Sequence, residues 1–458
     1  MMKWVLGAAA LASCGWASAT WVHSSQAASQ YEVSLAAFGL RHGVELVEVG
    51  YERSLLSSVA RTEVRQGAGV SQYAEFVPES WREDSRLVLK HVIQHGPLIL
   101  DDGVSTLAAR VVTTLDFDSL NAVAGAALRE ACGCEEPLRV VSEVKHDGSL
   151  SHLISSHALM VRSQQEAGEL AVDVGAVHGQ LTTDREGRVA ASGELGAISG
   201  SVGPLRFRHQ PTTWTYSGIA ADIAGLGTFE ARSPGLTLDG EGASIAVNGL
   251  KAKSRNALEG GQLNGAVQLG FESLSGPITL GPQSMTATVS GIAESAVSQY
   301  TRAISTADFN TVEGRKRFMT SYLALFSPGS ALRIALESQS ASGHRAELEY
   351  SVAYAHARGQ LNTVGDLLNR IRGGIEAEVA VDWLRETGLE QAAPALYAVT
   401  VPVADRLTLN ASLSNGQAEL NGQSVPIDQM FGPALAQPLP SMQALASQWI
   451  ALEQQQLP

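Results

Sequence analysis

Short runs in which apolar and polar residues alternate, punctuated by glycine-containing turns, make up most of this 458-residue chain. Residues 138–145 alternate, Asp147-Gly148 follows, and the alternation resumes at Leu150, the pattern of a β-hairpin. Residues 181–185 and 188–194 around Glu186-Gly187 predict a second hairpin, and 331–338 and 344–354 around Ser342-Gly343 a third. Residues 407–413 and 417–420 around Asn415-Gly416 predict a fourth. From 235 to 291 the chain reads as strand throughout, with Thr, Val and Leu set against polar neighbours. Glycine gathers at these junctions because tight hairpin turns need a positive φ. The expected fold class is α+β and predominantly antiparallel β: large twisted sheets of hairpins with a few helices.

Helical spacing is rarer. Apolar residues recur at that spacing over 294–303 and over 312–326, where Phe318, Tyr322, Leu325 and Phe326 share a face. Ser327-Pro328-Gly329 then stops the second helix. A third helix is predicted over 383–396, including Leu384, Leu389 and Ala392. The organisation expected is a membrane segment at 1–30 and a β-rich region at 31–292. A helical segment at 293–330, a hairpin-and-helix region at 331–435 and a Pro/Gln-rich tail at 436–458 complete it. The hairpins recur without a fixed period, which speaks against a propeller or solenoid.

The opening segment departs from alternation altogether. No formal charge occurs between Lys3 and Glu32, and residues 4–22 are nearly all Ala, Trp, Val, Leu and Gly. As a helix this stretch spans roughly 28 Å, close to the bilayer's hydrocarbon thickness, with Trp16 and Trp21 suited to its interface. Lys3 favours a cytoplasmic start, which describes an uncleaved signal anchor. Ala17-Ser18-Ala19 also fits signal cleavage, and Leu11-Ala12-Ser13-Cys14 resembles a lipobox with Cys14 as the lipidated residue. All three readings put residues 31–458 outside the cytoplasm. The anchor reading makes the inner membrane a partner through residues 4–22.

Composition narrows the partners. Hydrophobic residues form 45% of the chain, enough for a substantial core, and the net charge is −14. Massed cations are missing, so nucleic acid is not an expected partner. Cys132 and Cys134 flank a single glycine; a bridge across one residue is strained, pairing between chains is open to them, and two unpaired thiols are the plain alternative.

Candidate chemistry is sparse. The sequence holds no Gly-x-Ser-x-Gly, no phosphate-loop Gly-Lys, no His-Glu-x-x-His and no Cys-x-x-Cys. Gly225-Leu226-Gly227 and Gly240-Glu241-Gly242 lack the third glycine of a dinucleotide fingerprint. The densest donor set is Cys132, Cys134, Glu135, Glu136, His146, Asp147, His152 and His157, the right chemistry for zinc or copper without a recognised ligand spacing. His91 and His95 share a strand face and read more readily as hydrogen-bonded structure than as a proton-transfer pair. Trp214, Tyr216 and Asp222 hint at a sugar platform, although Trp on a strand face is usually core.

Four separated blocks carry a resemblance. Residues Val49-Gly50-Tyr51-Glu52-Arg53-Ser54-Leu55-Leu56-Ser57-Ser58, then His95-Gly96-Pro97, resemble an early strand–turn block and a following strand of the YdgA-like family. This is a family of bacterial envelope proteins classed as a domain of unknown function. Ser54 stands where that family has glycine. Thr183-Asp184-Arg185-Glu186-Gly187-Arg188 is similar to its middle hairpin, and residues 414–423 resemble its carboxy-terminal signature. The resemblance implies an inner-membrane anchor with a large periplasmic β-rich body, and supplies no activity, cofactor or catalytic residue. The expected function is therefore non-enzymatic: a membrane-tethered periplasmic scaffold, or a protein that binds lipid or an envelope client. A groove for such cargo is expected to need strands apolar on both faces. The alternative is a metal-assisted hydrolase using the 132–157 cluster.

Overall fold

The computed structural model describes residues 44–53, 57–66, 87–95, 99, 105–165, 168–219, 226–240, 242–306, 311–355, 363–392, 397–427 and 432–436. The predicted membrane segment at 4–22 lies outside these residues, as do Asp222 and the tail at 437–458. Among the described residues no helix is long and apolar enough to cross a membrane. The chain forms two compact units, residues 1–225 with 301–318 and residues 226–300 with 319–458. Both are built on antiparallel strands.

The first unit opens with β1 (Val44–Arg53), β2 (Ser57–Gln66), β3 (Leu87–His95) and β4 (Ala109–Leu115), each paired with the next. Helix α1 (Ala122–Cys132) interrupts them before β5 (Leu138–Val144) and β6 (Leu150–Ser156) extend the ladder. Next come β7 (Leu159–Gln165), β8 (Gly168–Val174), β9 (Val177–Thr183) and β10 (Arg188–Leu195). They are followed by β11 (Ile198–Val202), β12 (Leu205–His209) and β13 (Thr212–Ile219). Strands β6, β9, β10 and β13 form one ladder, and β7, β8, β11 and β12 another. These are four long meandering strands creased at a common level. At the crease Gly175 N–H donates to Ala197 O at 2.7 Å and Gly196 N–H to Ala176 O at 2.8 Å.

Helix α1 was not among the predicted helices. Its Ala-rich run favours helix but carries only a thin apolar stripe, burying Ala124 and Gly125 alone. Asn121 starts it by accepting a hydrogen bond from Ala124 N–H at 2.7 Å, and Gly133, at φ +61°, ends it with its N–H on Arg129 O. Leu120 and Leu128 pack on the cluster of Ala60, Leu89, Ile93, Val111, Leu115, Val140 and Ile154. That cluster is the core of the first unit.

The second unit runs through β14 (Gly227–Gly240), β15 (Ala243–Glu259), β16 (Gln262–Phe271), β17 (Ser273–Ser275) and β18 (Leu280–Ala293). Helices α2 (Glu294–Thr306) and α3 (Val312–Ala324) follow, as their spacing predicts, with residues 301–306 of the one and 312–318 of the other counted in the first unit. The chain re-enters the sheet with β19 (Ala331–Ser340), β20 (Arg345–Tyr354), α4 (Val364–Leu368) and β21 (Ile371–Ala380). It ends with α5 (Val381–Glu386), β22 (Val401–Val403), β23 (Arg406–Ser414), β24 (Gln417–Leu420) and β25 (Gln423–Val425). The helix predicted over 383–396 is shorter: α5 stops at Thr387, Gly388 turns the chain at φ +75°, and a 3-10 turn, Leu389–Ala392, follows, residues 393–396 lying outside the described residues. A residue in the left-handed region cannot continue an α-helix. All four predicted hairpins are present.

Candidate functional site

The metal-type donors are dispersed by the fold. Cys132 and Cys134 are joined as a disulfide rather than held as two thiols, which removes both thiolates. Asp147 is taken up by its own hairpin: its carboxylate accepts the Ser149 hydroxyl at 2.7 Å and the Ser149 N–H at 2.9 Å, and these hold it below the usual carboxylate range. His152 points into the sheet, while His146 and His157 are exposed on the surface. Among the described residues no group of three or more His, Cys, Asp or Glu is placed to hold a metal ion.

His91 is a structural residue. It is fully buried, with Nδ1 2.8 Å from Thr113 Oγ1 and Nε2 3.1 Å from Thr62 Oγ1. One ring nitrogen donates and the other accepts, so the neutral ring is satisfied on both sides. Burial pushes its pKa down to about 4. His152, with Nδ1 2.8 Å from Ser142 Oγ, is pushed to about 4 for the same reason. His95 ends β3, one turn of alternation further on. Trp214 lies flat over Gly179 and Gly193, where a Cβ on Gly193 would come 2.6 Å from the indole. The ring therefore fills a path of glycines and is not a free sugar platform.

The feature that stands out is one that residue-by-residue reading missed. Cross-strand register lines up the apolar residues of the second unit into rows on one sheet face. Phe229, Ser254, Val267, Ala287, Ile334, Tyr350, Ile375 and Ala411 are successive partners across β14, β15, β16, β18, β19, β20, β21 and β23. Two residues along, the next row is Ala231, Ala252, Leu269, Met285, Leu336, Leu348, Ala377 and Leu409. Neither row contains a charge. Eight strands at the usual spacing make the face roughly 34 Å wide.

The opposite face is charged. Its rows hold Glu230 and Lys253 at 2.6 Å, Arg333 and Glu349 at 2.5 Å, and the ion pair of Arg406 with Glu378. That is the side built for water. The apolar face is nevertheless open: Leu269 is 42% exposed, Val267 39%, and Phe229, Leu336, Leu348, Tyr350 and Ile375 are similar. Its far end is covered where Trp383 of α5 donates its indole N–H to Ser338 Oγ at 3.1 Å and Leu384 and Leu407 are buried. These strands are apolar on one face, and their reverse carries charge instead of core.

A contiguous exposed apolar surface of this extent is uncommon on a β sheet whose reverse is charged. The fold and this face define a class: a predominantly antiparallel β protein with a bare apolar sheet face and no assembled metal cluster among its described residues. The chain belongs to the bacterial protein family of unknown function DUF945, whose family model matches residues 1–428. No curated protein and no solved structure matches it.

Proposed function

We propose that this protein is a non-enzymatic, membrane-tethered envelope protein of the YdgA-like kind that holds lipid acyl chains on the open sheet face of its second unit. In this reading residues 4–22 are an uncleaved inner-membrane anchor with a cytoplasmic amino terminus, and the rest of the chain is periplasmic. The observation that carries it is the pair of uncharged rows through Val267 and Leu269, exposed although their reverse is charged. Acyl chains have the matching chemistry: extended, neutral and without hydrogen-bonding groups that the face would leave unpaired. An uncharged segment of bilayer length at the amino terminus sets such a face beside a source of lipid.

Native mass spectrometry of the full-length protein tests the reading. Phospholipid is expected to leave with the protein, to be lost on L336E or Y350E, and to be retained on K251E of the charged face. A protein that carries no lipid, or that releases a bound polypeptide instead, overturns the carrier and leaves a scaffold. Intact mass tests the anchor separately, since loss of the first 13 or 19 residues, at the lipobox or the Ala19 site, removes it.

A further inference from the structure

The Cys132–Cys134 disulfide lies far along the chain from the apolar face and has no role in it. The two cysteines are only two positions apart, so their bond ties together no distant segments and removes little entropy from the unfolded chain. It is not buried either. Both cysteines are half-exposed and the intervening Gly133 is fully exposed, with nothing within 4 Å of where a Cβ would stand. A bridge that stabilises little and is open to solvent has the character of an exchanging disulfide rather than a structural one.

The surroundings distinguish the two sulfurs. Cys132 closes α1, and its Sγ is backed by Arg129 O at 3.7 Å, by Cys134 O at 3.1 Å and by the Cys134 N–H at 3.2 Å. Cys134 lies past the helix end, and its Sγ makes no hydrogen bond among the described residues. The backbone that crowds Cys132 Sγ leaves an incoming thiolate its freer approach at Cys134; the Cys134 N–H faces the Cys132 thiolate that leaves, and the two carbonyl oxygens beside it keep that thiolate reactive toward re-closing the bridge. The local charge is acidic. Arg129 is engaged by Asp118 at 3.8 Å and Glu135 at 3.7 Å and lies 4.7 Å over the Phe117 ring, while Glu130 and Glu136 are exposed close by in the chain. This selects against an anionic thiol.

We propose that Cys132–Cys134 is a thiol–disulfide exchange site whose partner is a protein dithiol flanked by basic residues. A partner thiolate attacks Cys134 Sγ, the Cys132–Cys134 bond breaks, and Cys132 departs as thiolate with a mixed disulfide at Cys134. The partner's second thiolate then attacks its own sulfur in the mixed disulfide and expels the Cys134 thiolate. The partner dithiol is oxidised to a disulfide and the protein pair is reduced to two thiols, two electrons passing between them.

The test uses the full-length protein, a lysine-flanked dithiol peptide, a glutamate-flanked one of equal length, and glutathione, with alkylation and mass readout. The bridge is expected to open and re-form reversibly across the range of glutathione ratios. It is expected to exchange roughly tenfold faster with the lysine-flanked peptide than with the glutamate-flanked one, with the advantage shrinking in salt. Challenged with the lysine-flanked peptide in its oxidised, disulfide form, which supplies the bond that breaks, C132S is expected to accumulate a mixed disulfide at Cys134 faster than C134S does at Cys132. Equal rates for the two peptides, or faster exchange with glutathione than with the lysine-flanked peptide, overturn the partner chemistry. Free thiols in fully oxidised buffer, or a bridge closed at every ratio, overturn the exchange site. Lipid retention by C132S and C134S is expected to be unchanged, so this site and the apolar face stand or fall separately.

Discussion

The two units put the same alternating pattern to opposite ends. In the first, the inward side chains of β2 to β6 pack as a core with Leu120 and Leu128 against it, and even polar groups sink to full burial: Ser58, Thr62, His91, Thr113 and Ser142 are each almost inaccessible, with Ile93 and Val111 between them. In the second, eight strands present rows of Leu, Ile, Val and Phe that remain about two-fifths exposed. Leu384 and Leu407 are buried beside α5. One sheet face is thus a core and the other a surface, although the strands of both read alike in sequence.

The widest gap between the units is expected from truncating a core side chain. I93A removes a fully buried group and is expected to destabilise the protein by about 2–5 kcal/mol in urea unfolding. A change below about 1 kcal/mol would mean that the sealed face is not a packed core.

Acid comes next. The unfolded histidine titrates near 6.5, whereas His91 and His152 are held at about 4 in the fold. Below pH 6.5 the unfolded chain takes up protons that the folded chain refuses, so stability falls as pH drops toward 4 and then levels. Each ring contributes on the order of 3 kcal/mol to that fall, and H91Q and H152Q are each expected to flatten the profile between pH 6.5 and 4. An unchanged slope would show that neither ring is buried neutral. The second unit offers no comparable fully buried histidine among its described residues: His344 lies half-buried beside Glu386 at 3.0 Å.

Removing the cap that starts α1 is a smaller perturbation. N121A is expected to cost about 1 kcal/mol and to speed hydrogen exchange in α1. Smallest of all is the exposed face. L336S is expected to leave unfolding within about 0.5 kcal/mol of the parent while lowering lipid retention, the reverse of the I93A result. A large loss of stability on L336S would turn the open face into a second core.

Turn chemistry made the hairpins legible, because it is local. Asn415 and Gly416, at φ +53° and +71°, adopt the primed turn that the Asn-Gly pair announces. Alternation likewise announced the strands. The apolar face was not legible, since Val267 joins Ala287 and then Ile334 only through register between segments far apart in the chain. Residues 286–289 look small and mixed when read alone, because their two faces belong to different surfaces. The disulfide was hidden for a related reason: spacing leaves the thiols a choice, and the turn at Gly133 makes it. His91 was rightly suspected of being hydrogen-bonded structure, but the two threonines that satisfy it come from neighbouring strands.

The crease in the first unit carries a consequence for descent. A Cβ placed on Gly175 would lie 2.7 Å from the backbone of Gly196, and one on Gly196 would lie 2.8 Å from that of Gly175. Neither position can drift by itself, since any side chain at one collides with the main chain of the other. Inherited variation is expected to find the two glycines fixed together, a single allele written at two places in the chain.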